Sequence, residues 1–300
     1  MPRLAVLALL LTPACGGLPD DSLFYEETWE AFVLAPSGVI DVAARVSNRG
    51  LRRGLASMQA WRVRPEGALE LLSEGPTTTR QVAEDHGSLH LAGGSIGNDG
   101  MGAGNWRVMG SDVAVVSLTI QGHVRGEAPH AAWLDRGGAF RIEVPIAEGR
   151  AIGTTWADSF VMSGSAVAVH RGGDALPWTP RRFLWAVGPG ISVGYDGEGR
   201  GKAAWIVKDG AVIEADDAAI AAWGEQEIVL RIPSQRIVAT FRPETPKAPE
   251  PIEWNSLRAE RWLLSLVGIP TTRDLRAAGA MISFDGANAT PARGLVLEER

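Results

Sequence analysis

Apolar and polar residues alternate with a period of two along most of this chain, the mark of half-buried β-strands. Ile40, Val42, Ala44 and Val46 share one face, opposite Asp41 and Arg45. Ala114, Val116, Leu118 and Ile120 do the same opposite Ser117 and Thr119. Phe140–Ile146 alternates as far as Pro145, which suits an edge position. Ile228, Leu230 and Ile232 fall on one side of a further run, and Ile237, Ala239 and Phe241 on one side of the next. Ala203–Lys208 and Ala211-Val212-Ile213 flank Asp209-Gly210, a hairpin signal because a type I′ turn needs positive φ at both central residues. Helical signals are few. Asp216 or Asp217 is placed to cap a short helix through Trp223, Ser256 to cap one through Val267, and Gly279 to end one over Thr272–Ala278. The pattern predicts an all-β, mainly antiparallel chain of two consecutive barrels or sandwiches with a few short helices. The halves are expected at 22–150 and 151–300, joined at Glu148-Gly149-Arg150, each a reasonable domain size. Pro243–Pro251 reads as a proline-rich loop inside the second half.

The start of the chain breaks this pattern. Arg3 is followed by an unbroken apolar run, Leu4–Leu11, and then by Thr12-Pro13-Ala14 and Cys15, the single cysteine. A basic start, an apolar core and a small residue before the cut make a secretory signal peptide. The apolar run is too short for a membrane span, which takes about 20 residues. A lone cysteine after a small residue resembles a bacterial lipobox, although Thr12 stands where Leu is usual. Residues 1–14 are then the leader, Cys15 the acylated N-terminus and 15–21 a tether. This places the protein in the bacterial cell envelope, anchored in the membrane through acyl chains and facing periplasm or exterior. An ordinary signal peptide that leaves Cys15 as a spare thiol is the alternative.

Charge and composition narrow the partners. The net charge of −6 becomes −7 once Arg3 leaves with the leader, which argues against nucleic acid. Eleven Trp against seven Phe and two Tyr is unusual, and those rings either fill barrel cores or line an apolar cavity. No cofactor motif stands out. Gly93–Gly104 lacks the Gly-Lys-Ser/Thr ending of a phosphate loop and reads as a barrel-rim loop. His86 and His90 have helical spacing beside Glu84 and Asp85, but without the His-Glu-x-x-His pattern no metal site is expected.

Ser163–Val207 is the segment most suited to a site. It carries His170, Trp178, Trp185, Tyr195 and Trp205, with Val167 and Val169 on one strand face and Ala168 and His170 on the other. These five residues are the candidate ligand-binding set, with a hydrogen-bonded structural role for His170 as the alternative. Trp29-x-x-Phe32 before Gly38, then Gly164, His170, Gly172-Gly173, Phe183-Leu184-Trp185, an Asp196-Gly197 turn and Gly294–Glu298, resemble the lipocalin-like family of hydroxyneurosporene synthase (a carotenoid hydratase), AttH-like and survival-factor-like proteins. The resemblance implies two lipocalin-like barrels and an apolar ligand. Three functions follow as expectations: an envelope lipoprotein that binds an apolar small molecule or lipid in a barrel, a hydratase-like enzyme acting on an isoprenoid or other apolar substrate, or a ligand-free structural lipoprotein. A hydratase needs an acid strong enough to protonate carbon, and Asp158 and Asp174 lie near the candidate segment.

Overall fold

The computed structural model describes residues 25–47, 55–65, 67, 69–74, short strand segments between 78 and 133, then 138–154, 159–174, 181–198, 201–244, 250–251, 272–284, 286 and 288–299. The expected leader, Cys15, Asp158, Trp178 and the expected helix over Ser256–Val267 lie outside these residues.

The first sheet holds β1 (Tyr25–Ala35), β2 (Gly38–Ser47), β3 (Leu55–Val63), β4 (Leu69–Glu74), β5 (Thr78–Thr79), β6 (Ala83–Asp85) and β7 (Ser88–Leu91). It continues through β8 (Gly94–Asn98), β9 (Ala103–Met109), β10 (Val115–Gln121), β11 (His130–Trp133), β12 (Gly138–Thr154) and β13 (Ser159–Asp174). The second holds β14 (Arg181–Gly188), β15 (Ile191–Glu198), β16 (Gly201–Lys208), β17 (Ala211–Glu214) and β18 (Ala219–Trp223). Then come β19 (Ile228–Ile232), β20 (Ile237–Pro243), β21 (Glu250–Pro251), β22 (Thr272–Phe284) and β23 (Thr290–Glu299).

Both sheets are wired alike. In the first, β1 pairs antiparallel with β2 on one side and with the last strand, β13, on the other. In the second, β14 lies in the same way between β15 and the last strand, β23. Each sheet therefore curls so that its first and last strands meet, as in an up-and-down barrel.

The alternation in sequence sets what each curl encloses. Ala31, Val33, Ile40, Val42 and Ala44 face the interior of the first sheet with Met58, Val116 and Ala168. Leu184, Ala186, Val193, Ala204, Ile206, Leu230 and Phe241 fill the second. The opposite faces of the leading strands are not in water. Phe32, Leu34, Trp61, Val167, Phe183, Trp185, Trp205, Leu295 and Leu297 form a third buried layer, a seam contributed by both sheets. The largest fully buried rings, Trp61, Trp185 and Trp205, are all in it. Phe32 and Phe183 stack across it with ring centroids 4.7 Å apart.

Several expectations change. The expected join at Glu148-Gly149-Arg150 lies inside β12, and the first sheet runs on to Asp174. Thr272–Ala278 is not a helix but the start of β22, because Arg273, Leu275 and Ala277 must face the seam with strand spacing. Asp216-Asp217 is itself a turn that leads into β18, and the carboxylate of Asp217 instead accepts hydrogen bonds from the Ser234 N–H (2.5 Å) and Oγ (2.8 Å). Ser234 lies in a 3₁₀ turn over Pro233–Gln235. Much of the glycine-rich stretch expected as a rim loop pairs as β8 and β9. Glu84 and Asp85 lie on β6 and His90 on β7, in strands rather than a helix, and His86 lies outside the described residues. Asp196-Gly197 is interior to β15 rather than a turn. The Asp209-Gly210 turn is present as expected, with φ of 51° and 79°.

Candidate functional site

The seam has two different ends, and β14 runs from one to the other. Arg181, Phe183, Trp185 and Val187 all point into it, because alternate strand residues share a face. Six residues at about 3.3 Å each make this a path of roughly 20 Å. On the facing strand β1, Glu30 and Phe32 lie opposite Arg181 and Phe183 in the same order.

At the Arg181 end, three arginines and four carboxylates are sealed from solvent: Arg45, Arg181 and Arg273 with Glu30, Asp41, Asp196 and Glu299. Arg181 grips Asp196 with two hydrogen bonds of 3.0 and 2.8 Å and reaches across the seam to Glu30 at 2.6 Å. Arg273 holds Glu299 at 2.7 Å, Glu30 at 2.5 Å and, in a very short contact, Asp41. Arg45 Nη2 donates to both oxygens of Glu299, 3.1 Å to each. Ionised carboxylates in a dry layer need such partners, since unpaired burial is prohibitive. Among these groups the acids outnumber the arginines by one.

The titration of the cluster follows from that count. Burial pushes Asp41 up to about 8; Arg273 opposes this in part, and neighbouring Glu30 adds to it. Asp41 Oδ1 has no hydrogen-bond partner among the described residues and is open to the proton. Burial also acts to raise Glu30, but Arg181 and Arg273 outweigh it and hold that carboxyl below its ordinary value. Arg181 and Arg273 are held above the ordinary arginine value, their acidic neighbours overcoming burial.

The other end of the seam is apolar and not filled. A cavity of about 230 Å³ lies between Ser165 and Ala166 of the first sheet and Trp185, Val187, Ile191, Ser192 and Val207 of the second. Trp185 Nε1 donates to Ser192 Oγ at 3.4 Å, which directs the indole along the cavity wall. Gly188, Gly190 and the Asp209-Gly210 turn form its rim.

The structure brings two of the five candidate ligand residues together. Trp185 and Trp205 both face the seam, on either side of Gly194 in register. A β-carbon on Gly194 would lie 2.0 Å from the Trp205 ring, so the glycine is the space in which that indole sits. Trp185 lines the cavity. Tyr195 is on the opposite face of β15, packed at the interior of the second sheet. His170 sits on β13 in register with Trp29 and Arg141, and Asp174 at the end of the same strand with Tyr25. The sequence reading missed the buried charges. Part of their signal was present: Arg181 has the strand parity of Phe183 and Trp185, whereas Asp41 and Arg45 share a strand face with Val39 and Ala43 and read as solvent-facing.

Sequence comparison finds no matching protein family and no matching curated protein. Solved structures do match. A crystal structure described as an AttH from Nitrosomonas europaea covers 94% of this chain and 94% of its own, with TM-score 0.59 at 10% identity. CghA matches over 93% of this chain and 89% of its own, at TM-score 0.58 and 12% identity. Kievitone hydratase from Nectria haematococca matches over 91% and 88%, at TM-score 0.55 and 9% identity. The chain thus has the two-barrel lipocalin-like fold of these proteins, as the sequence resemblance implied.

Proposed function

We propose that this protein binds an apolar small molecule at the seam between its two sheets, as a lipid-anchored protein of the bacterial envelope. The observation that carries the reading is the apolar cavity beside Trp185, walled by both sheets. Ligand sites favour such concave, mainly apolar clefts at boundaries between structural units. At about 230 Å³ it is smaller than the roughly 300 Å³ of a usual ligand pocket. It therefore suits a small ligand, or one end of a longer one whose remainder lies at the rim. A CghA crystal structure with the same fold was solved with Sch210972, which supports a small-molecule role for this architecture. The envelope location rests on the leader and Cys15 alone.

A hydratase-like activity is the second reading. One observation favours it: the shared fold with kievitone hydratase.

Tryptophan fluorescence titration with a series of alkanols and isoprenoid alcohols tests the binding reading. Saturable quenching that disappears in Ser165→Leu, a change that fills the cavity, is expected. Quenching that is absent, or equal in both proteins, removes the seam as the site. Mass analysis of the mature chain for acyl groups on Cys15 tests the anchor, and an unacylated, cleaved chain would refute it.

A further inference from the structure

A second cluster lies away from the seam, on the inner face of the second sheet at the end nearest Arg181. Arg182, Gly197 and Lys202 are Cα partners in one row across β14, β15 and β16. Their parity is that of Leu184, Tyr195 and Ala204, so all three positions are on the interior face. The glycine leaves room in the middle of this row, and the Tyr195 ring, two residues before it, covers that room between the two cations. A β-carbon at Gly197 would lie 2.5 Å from the tyrosine hydroxyl oxygen, so any other residue would push the hydroxyl away.

The groups around this room are set up as donors. Arg182 lies flat on Trp223, its guanidinium carbon 4.6 Å from the ring centre. Its Nε donates to Glu298 Oε1 at 3.3 Å, which leaves the Nη edge of the fork for another acceptor. The Tyr195 hydroxyl has no hydrogen-bond partner among the described residues, and burial, then Asp196, hold it above its ordinary value while Arg182 opposes them. Lys202 is exposed, with Nζ donating to the Ala218 carbonyl at 2.5 Å and two further protons to give. Asp274 and Arg276 on the same face neutralise each other at 3.3 Å. Among the described residues Glu298 is the carboxylate against Arg182, and Asp217 lies within electrostatic reach of Lys202, so each cation has one acidic neighbour.

We propose that this end of the second barrel is a binding site for a small planar carboxylate, seated at the Tyr195 hydroxyl between Arg182 and Lys202. The carboxylate accepts from the Nη edge of Arg182 and from the Tyr195 hydroxyl, the bidentate geometry that suits arginine better than lysine. The body of the acid lies beside Trp223. The site is independent of the seam cavity, and neither proposal requires the other.

Benzoate titrated into the full chain, against sodium chloride at equal ionic strength, tests it by tryptophan fluorescence and by melting temperature. Saturable binding at millimolar concentration or tighter is expected, with a rise in melting temperature that chloride does not give. Arg182→Gln should weaken binding roughly tenfold, equivalent to one broken charged contact. Gly197→Ala should weaken it at least as much without removing any charge. Lys202→Gln, at an exposed position, should weaken it several-fold and decides the matter if the other variants do not fold. Ser165→Leu, which fills the seam cavity, should leave benzoate affinity unchanged. No benzoate effect beyond that of chloride, or equal affinity in wild type, Arg182→Gln and Lys202→Gln, would overturn the proposal.

Discussion

The two ends of the seam are built from the same strands and face the same way, yet they do opposite things. At one end, Arg181, Arg273 and Arg45 tie four carboxylates into a dry cluster. At the other, Trp185, Val187 and Val207 leave a cavity unfilled. Apolar contact is non-directional, so an apolar seam tolerates small shifts of one sheet over the other. A buried ion pair does not, because any shift leaves a desolvated charge without its partner. The charged end thus sets how the sheets align, and the cavity end is where a ligand can enter without breaking that alignment.

The largest effect should come from the charged end. Arg273→Ala strips Glu30, Asp41 and Glu299 of a shared partner. We expect a loss of about 3–5 kcal/mol, the usual cost of breaking a buried pair, by chemical denaturation. A loss no greater than that of an exposed substitution would mean that the cluster does not hold the sheets together. Next, Gly194→Ala should cost about 1–3 kcal/mol, since the added carbon overpacks the Trp205 ring. A red shift in tryptophan emission should accompany it, and an unchanged spectrum would place the strain elsewhere.

A smaller effect distinguishes the two ends by pH. Asp41 titrates at about 8 in the fold against 3.8 as an unperturbed side chain. Between those values the folded chain holds a proton that the unfolded chain has released, so stability falls as pH rises through that window and levels off above it. Glu30 works the other way: its lowered value adds stability above the ordinary carboxylate range, which is lost as pH falls through the folded value. Melting temperature measured across pH should show a decline toward alkaline pH that Asp41→Asn abolishes. A decline that persists in Asp41→Asn would assign the proton to another group. The smallest stability change belongs to the cavity. Ser165→Leu should alter stability by no more than about 1 kcal/mol, as cavity filling commonly does, while it blocks apolar ligands.

Much of the fold was legible because strand alternation is local. Ile40, Val42 and Ala44 share a buried face, Ile228, Leu230 and Ile232 share another, and Asp209-Gly210 makes its turn, all as the pattern predicts. Legibility failed where a local signal had two meanings. Gly279 and Thr272 suit a helix end and its start, yet β22 runs through both because its partners β20 and β23 offer ladder hydrogen bonds over its length. Asp196-Gly197 has turn chemistry, but Arg181 claims the carboxylate inside the strand. Of the candidate ligand residues, the sequence could mark Trp185, Tyr195 and Trp205 as unusual but not say that Tyr195 faces away from the other two. That depended on the register of β15, in which a single residue step changes the face.

By itself, then, the sequence determined the all-β class and the interior face of each leading strand, since both follow from a two-residue period. It also carries the apolar start and Cys15, on which the proposed location rests. Only the tertiary structure decided that the polar-looking faces of β1, β2 and β14 meet one another. Asp41 and Arg45 read as solvent-facing positions along a single strand, and they are buried because a second sheet covers them. A charge pattern within one strand has no means of specifying its partner in a strand about 230 residues away, as for Asp41 and Arg273. Packing two curled sheets against each other supplies that partner, and with it the charged end, the cavity and the division of labour between them.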